Sequence, residues 1–112
     1  MDVNTVTGEM YYVGTDLKFA INITAEGYDM VEDDYEILLV CGLTKVQVAK
    51  NDIVDGEDEE GNPTHFLLID STQFPSGTLR LVVYAKVPDD DFDSGVRREV
   101  NALDICVIKH PY

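Results

Sequence analysis

TLRLVVYAKVP, residues 78–88, alternates: Leu79, Leu81, Val83, Ala85 and Val87 fall on one side, and Arg80, Val82, Tyr84 and Lys86 on the other. Successive side chains of an extended chain point to opposite faces, so this period of two predicts a strand with one oily face. Pro88 ends the run, because proline has no N–H to give to a ladder. The same rule holds earlier in DLKFAINITAEG, residues 16–27, where Leu17, Phe19, Ile21 and Ile23 alternate with Lys18, Ala20, Asn22 and Thr24.

Other segments follow the pattern less cleanly. YEILLVCGL, residues 35–43, is a continuous apolar run of strand length, which suggests a central strand covered on both faces or shielded by a neighbour. TKVQVAK, residues 44–50, alternates through Val46 and Val48, with Gly42 before it marking a bend or bulge. HFLLID, residues 65–70, and an early segment around GEMYYVG add two more. In GVRREVNALDICVIK, residues 95–109, Val96, Val100, Leu103 and Val107 recur at helical spacing, but the β-branched residues near its end favour a strand pairing with residues 78–87. About seven strands separated by turn signals predict an all-β sandwich in one domain.

The connections carry the charge. The 112-residue chain has 22 acidic against 8 basic side chains, a net charge of -14. Sixteen of the acids lie in residues 26–36, 52–60 and 89–93, and like charges this close favour solvated loops. Such a balance repels phosphate backbones and anionic lipid, which argues against direct nucleic-acid or membrane binding. MDVNTVTGEMYYVG, at the start, lacks the pattern of a secretory signal, and no apolar run reaches membrane-spanning length, so the expectation is a soluble protein made in the cytoplasm. DGEDEEGNP, residues 55–63, reads as the most mobile piece. In DSTQFPSG, residues 70–77, Phe74 reads as a plug dropping beneath a turn.

Candidate chemistry is sparse. Asp89, Asp91 and Asp93 match the first ligand positions of an EF-hand loop, but Ser94 stands where glycine is needed and Val100 where the closing carboxylate belongs. The segment therefore reads as a solvated turn, with Gly95 supplying a positive φ and Arg97 or Arg98 partly neutralising the aspartates. Asp55, Glu57, Asp58, Glu59 and Glu60 crowd together without ligand periodicity. Cys41 and Cys106 sit in apolar runs and read as buried free thiols. His65 and His110 show no spacing with them that would suggest zinc. Of the adjacent Tyr11 and Tyr12, one should pack and the other face water, a weak basis for a sugar platform. No residue is assigned a catalytic, cofactor-binding or metal-ligating role.

Three stretches in order, DLKFAINITAEGYDMVEDDYEILL, LLIDSTQFPSGTLRLVVYAKVPD and DDDFDSGVRREV, resemble the immunoglobulin-like β-sandwich modules of tailed-phage virion structural proteins. The likeness is strongest to those of phages of Bacteroides-type gut bacteria, crAss-like phages included, and the layout is similar to the N-terminal domain of phage baseplate upper proteins. The matching positions are Asp70 and Ser71, Gly77, Pro88 and Asp89, then Phe92, Gly95, Arg97 and Glu99. Residues 55–62 look like an insertion relative to that pattern.

The resemblance implies an antiparallel immunoglobulin-like sandwich without enzymatic activity or cofactor. Its role would be that of an auxiliary capsid, head-fibre or tail-associated part of the virion. Its partners would be other virion proteins and further copies of itself, in a trimer or another homo-oligomer. Residues 1–8 would form an extended arm anchoring the subunit to a neighbour, ahead of a single domain over residues 9–112. The alternative is a carbohydrate-binding or adhesive surface module of the same architecture.

Overall fold

The computed structural model describes residues 1–112. It contains nine strands and two short 3-10 turns, with no α-helix. The strands are β1 (Asp2–Asn4), β2 (Glu9–Tyr12), β3 (Asp16–Thr24), β4 (Tyr35–Cys41), β5 (Thr44–Ala49), β6 (Val54–Glu57), β7 (Pro63–Asp70), β8 (Gly77–Pro88) and β9 (Val96–Lys109). They form a four-stranded sheet in the order β1-β3-β7-β6 and a five-stranded sheet in the order β2-β9-β8-β4-β5. The inner faces of both sheets share one apolar core, which makes the arrangement sandwich-like.

The alternating positions are where the core lies. Leu17, Phe19, Ile21 and Ile23 from β3 and Leu79, Leu81, Val83, Ala85 and Val87 from β8 are all buried. The apolar run of β4 resolves into alternation as well: Tyr35, Ile37, Leu39 and Cys41 are buried, whereas Leu38 and Val40 lie half-buried on the outer face. Neighbours β5 and β8 shield those two residues laterally. Phe74 is buried beneath the turn that precedes β8.

The structure departs from the sequence expectation in four places. There are nine strands rather than about seven, the additional ones being β1 and β6, three and four residues long. Gly42 is neither bend nor bulge: with Leu43 it forms the two-residue connection of the β4–β5 hairpin, and its φ of 59° meets the left-handed requirement of such a turn. Residues 55–63, expected as a connection, are partly strand: residues 55–57 and 63 belong to the paired β6 and β7, and only residues 58–62 form the turn between them. Asp58 Oδ1 accepts from the N–H groups of Glu60 (2.9 Å) and Asn62 (2.8 Å), so the acidic side chain organises the turn. Finally, the pairing is not wholly antiparallel, because β2 runs parallel to β9.

β9 is a strand throughout, despite its helical spacing. Arg80 pairs with Asp104 and Leu79 with Cys106, leaving Ile105 as an extra residue in the ladder. This bulge places Ile105 and Cys106 in the core side by side and switches which parity of residue faces inward. Residues 2–4 of the expected arm are extended and pair with β3 of the same chain.

Candidate functional site

The topology gathers all three acidic segments at one end of the sandwich. β3 runs up to Thr24 and the connection to β4 follows it there; the β6–β7 turn lies beyond the Ile21–His65 pair, at the same end. The β8–β9 turn joins them, since the Lys86 N–H donates to the Asp34 carbonyl (2.9 Å). Carboxylates at this end repel one another, and three devices hold their loops in place.

In the first, Asp29 Oδ1 accepts from the Val31 N–H (2.9 Å) and Asp33 Oδ2 from the Asp29 N–H (2.8 Å). The Lys50 ammonium donates to the carbonyls of Val31 (2.8 Å) and Asp33 (2.7 Å), tying this loop to the connection after β5. Met30 from the same loop is buried, an apolar anchor in a polar segment.

In the second, Asp89 Oδ1 accepts from the Asp91 N–H (3.0 Å) and its Oδ2 from Arg97 Nη1. Arg97 also faces Glu99 (Nη2–Oε2, 3.5 Å), whose Oε1 lies 3.4 Å from the amino group of Met1. The result is a chain of alternating charges across the end of the sandwich. The N–H of Asp91, with the charge of Arg97 behind it, holds the Asp89 carboxyl below its ordinary value. Gly95 in this turn has a φ of 79°. Arg98 takes no part in an ion pair, and Asp90, Asp91 and Asp93 donate or accept nothing through their side chains. No cluster of three or more His, Cys, Asp or Glu side chains converges there or elsewhere in a metal-ligating arrangement.

The third is a depression of about 220 Å³ between the first acidic loop and β6–β7. Tyr35, Lys50, Asn51, Asp55 and His65 bring polar atoms to it. His65 Nδ1 stands 2.9 Å from Asp55 Oδ1, so the carboxylate orients the ring. Burial, and then the charge of Asp55, pushes the Tyr35 hydroxyl up to about 12. Burial also raises the Tyr28 hydroxyl well above its ordinary value, and that hydroxyl donates to the Asp34 carbonyl (3.1 Å). The Asp55–His65 pair, with Lys50 and Asn51 beside it, gives this depression a polar wall opposite the apolar side chains of Met30, Val31 and Ile53. Sequence reading missed it because Asp55 and His65 belong to different strands, and the first of those strands carries no alternation.

The remaining candidates are scattered. Cys41 and Cys106 are buried free thiols on β4 and β9, the latter pushed up to about 11 chiefly by burial. His110 lies beyond β9, against Tyr112 at 5.7 Å between ring centroids. Tyr11 packs edge-on against Phe19 (6.0 Å) while Tyr12 is exposed, the split expected of adjacent residues on a strand. Asp70 caps the turn before β8, accepting from the Thr72 N–H (3.0 Å) and hydroxyl (2.6 Å), while Ser71 is buried and its Oγ accepts from the Gly14 N–H (2.9 Å). No helix is long and apolar enough to cross a membrane. Neither a protein-family model nor a curated protein matches the chain.

Proposed function

We propose that this chain is an immunoglobulin-like module of a tailed-phage particle that works by docking onto other proteins rather than by catalysis. The observation that carries the fold half of this reading is strand order. If β1 and β2 are taken as two halves of a first strand that switches sheets, the remaining strands become B, C, C′, D, E, F and G. The sheets then read A-B-E-D and A-G-F-C-C′, the layout of immunoglobulin domains carrying a C′ strand. The B–F disulfide of antibody domains has no counterpart, because both cysteines are free and neither lies on β3 or β8.

Support for the virion half comes from the three stretches that resemble phage modules. Their residues occupy structural turning points: Asp70 caps a turn, Gly77 opens β8, Pro88 closes it, and Asp89, Gly95 and Arg97 shape the β8–β9 turn. A sandwich held by its own apolar core leaves its faces and loop ends available to neighbours. Its acidic end would keep many copies apart in solution before assembly.

The test is the composition of purified phage particles from a host strain carrying this gene. The expected result is co-purification of the protein with capsid or tail proteins in fixed stoichiometry. Its absence from particles, together with binding on a glycan array, would replace this reading with the adhesive one.

A further inference from the structure

The outer face of the five-stranded sheet carries an apolar field with a charge pattern that complements itself. The register sets its rows. Leu38, Val82 and Ala102 lie side by side across β4, β8 and β9, with Gln47 beyond Leu38 on β5. The next row towards the acidic end is Ala49, Glu36, Tyr84 and Val100; the next row away from it is Lys45, Val40, Arg80 and Asp104. Tyr84 and Val100 are 39% and 60% exposed, unusual for large apolar groups in neighbouring positions on one face. Beside Tyr84 is a dimple of about 230 Å³ that Glu36, Leu38 and Gln47 also line.

We propose that this face binds a second copy of the chain, in an antiparallel face-to-face dimer whose two-fold axis crosses the strands at Val82. Such an axis brings the Tyr84 row of each protomer over the Arg80 row of its partner. The partner's Arg80 then stands over Tyr84, and Glu36 faces the partner's Val40, between the partner's Lys45 and the partner's Arg80. A dimple with a carboxylate and an aromatic wall suits a guanidinium. Arg80 is free to enter it, because its contact with Asp104 uses Nε (3.1 Å) and leaves the outer nitrogens unengaged.

The other two-fold arrangement, with the axis along β8, stacks Arg80 on the partner's Arg80 and Lys86 on the partner's Lys86. It also sets the two acidic ends side by side, and like-charge repulsion disfavours it. In the antiparallel arrangement those ends lie at opposite extremes. Four strands about 4.8 Å apart and about five rows of outward side chains give a face roughly 20 Å by 30 Å. That plane of about 600 Å² approaches the roughly 800 Å² per partner of a standard interface. The dimer stands on the face alone, so failure to find the protein in virions leaves it intact.

Sedimentation of the purified full chain between about 1 and 300 μM tests it. The expected result is a monomer–dimer equilibrium that Val82→Glu and Glu36→Arg each weaken at least tenfold, with unchanged circular dichroism. Arg80→Glu alone should also weaken it, and Glu36→Arg combined with Arg80→Glu should restore it. A wild-type monomer at every concentration, or a dimer indifferent to Val82→Glu, overturns the proposal; a double exchange that fails to restore dimerisation overturns the antiparallel register. Should Val82→Glu not fold, the surface variants at 36 and 80 decide alone.

Discussion

Arg97 reaches back across the β8–β9 turn to the carboxylate of Asp89, which is the only one of the four aspartates there to accept hydrogen bonds. The pair straddles the residues whose acidic run most suggests a metal loop, and together with the Asp91 N–H it occupies both oxygens of the first would-be ligand. Asp91 and Asp93 then have nothing to hold. Asp91→Asn with Asp93→Asn should change stability by no more than about 0.5 kcal/mol, the range of ordinary surface substitutions. Asp89→Ala should lower the melting midpoint by clearly more, because the Asp91 N–H loses its acceptor and Arg97 is left with Glu99 alone. Thermal denaturation of the two variants in the same buffer compares them directly; equal midpoints would show that the turn does not depend on Asp89.

Gly56 sits where a side chain has no room. A Cβ there would stand 2.6 Å from Cε2 of Phe66, the ring that also carries the Lys18 ammonium 4.3 Å from its centroid. Gly56→Ala should therefore displace the ring and cost about 1–2 kcal/mol, as overpacking usually does. The same change in a Phe66→Ala background should cost far less, since the obstructing atoms are gone. Denaturant unfolding of the four proteins in the cycle measures this coupling, and additive effects would mean that the strain lies elsewhere.

Acidification should separate the Asp70 cap from its neutral isostere. Hydrogen bonds from the Thr72 hydroxyl and then the Thr72 N–H hold the Asp70 carboxyl below its ordinary value. A carboxyl with a depressed folded pKa contributes stability that is fully present above its unfolded value, near 3.9, and is lost as pH falls through the folded one. The wild type should accordingly melt above Asp70→Asn at pH 7. The gap should narrow only once the pH drops below about 4. A gap of constant size between pH 7 and pH 2 would assign the effect to something other than ionisation.

How far this fold can be read in advance depends on whether a feature is local. The inward sets of β3 and β8 are visible because period-two alternation is written along each segment, and Leu81 or Phe19 needs no knowledge of its neighbours. β1 and β6 escape notice because Asp2–Asn4 and Val54–Glu57 are too short to alternate, and they become strands only through pairing with β3 and β7. The helical spacing in β9 draws on both faces: Val96 and Val100 point outward and Leu103 inward, and the extra Ile105 then shifts the parity so that Val107, seven residues after Val100, points outward again. The acidic end and the Asp55–His65 pair are legible in composition but not in location, since topology alone assembles them. Gly95 and Phe74 are intermediate cases, where one residue type carries enough backbone or size preference to announce its place.

Lys50 offers the last prediction, because it is a single cation placed among backbone acceptors within the most acidic connection. Its ammonium holds the carbonyls of Val31 and Asp33 and lies 5.8 Å from the centre of the Tyr35 ring, so one side chain fastens the β3–β4 loop onto the sandwich. Nearby carboxylates of Asp29, Glu32, Asp33 and Asp34 would otherwise drive that loop outward. Replacement by methionine keeps the stem but removes the donors. Water can reach the released carbonyls, so the global cost should stay near 1 kcal/mol, below the roughly 1.5–3 kcal/mol usual for hydrogen bonds that involve a charged group. The local effect should be larger: amide exchange of Val31 and Asp33, whose N–H groups bond to Asp29, should accelerate severalfold while β8 remains protected. Unchanged exchange in residues 29–34 would mean that the aspartate-capped turn and the buried Met30 suffice to keep the loop closed without the lysine.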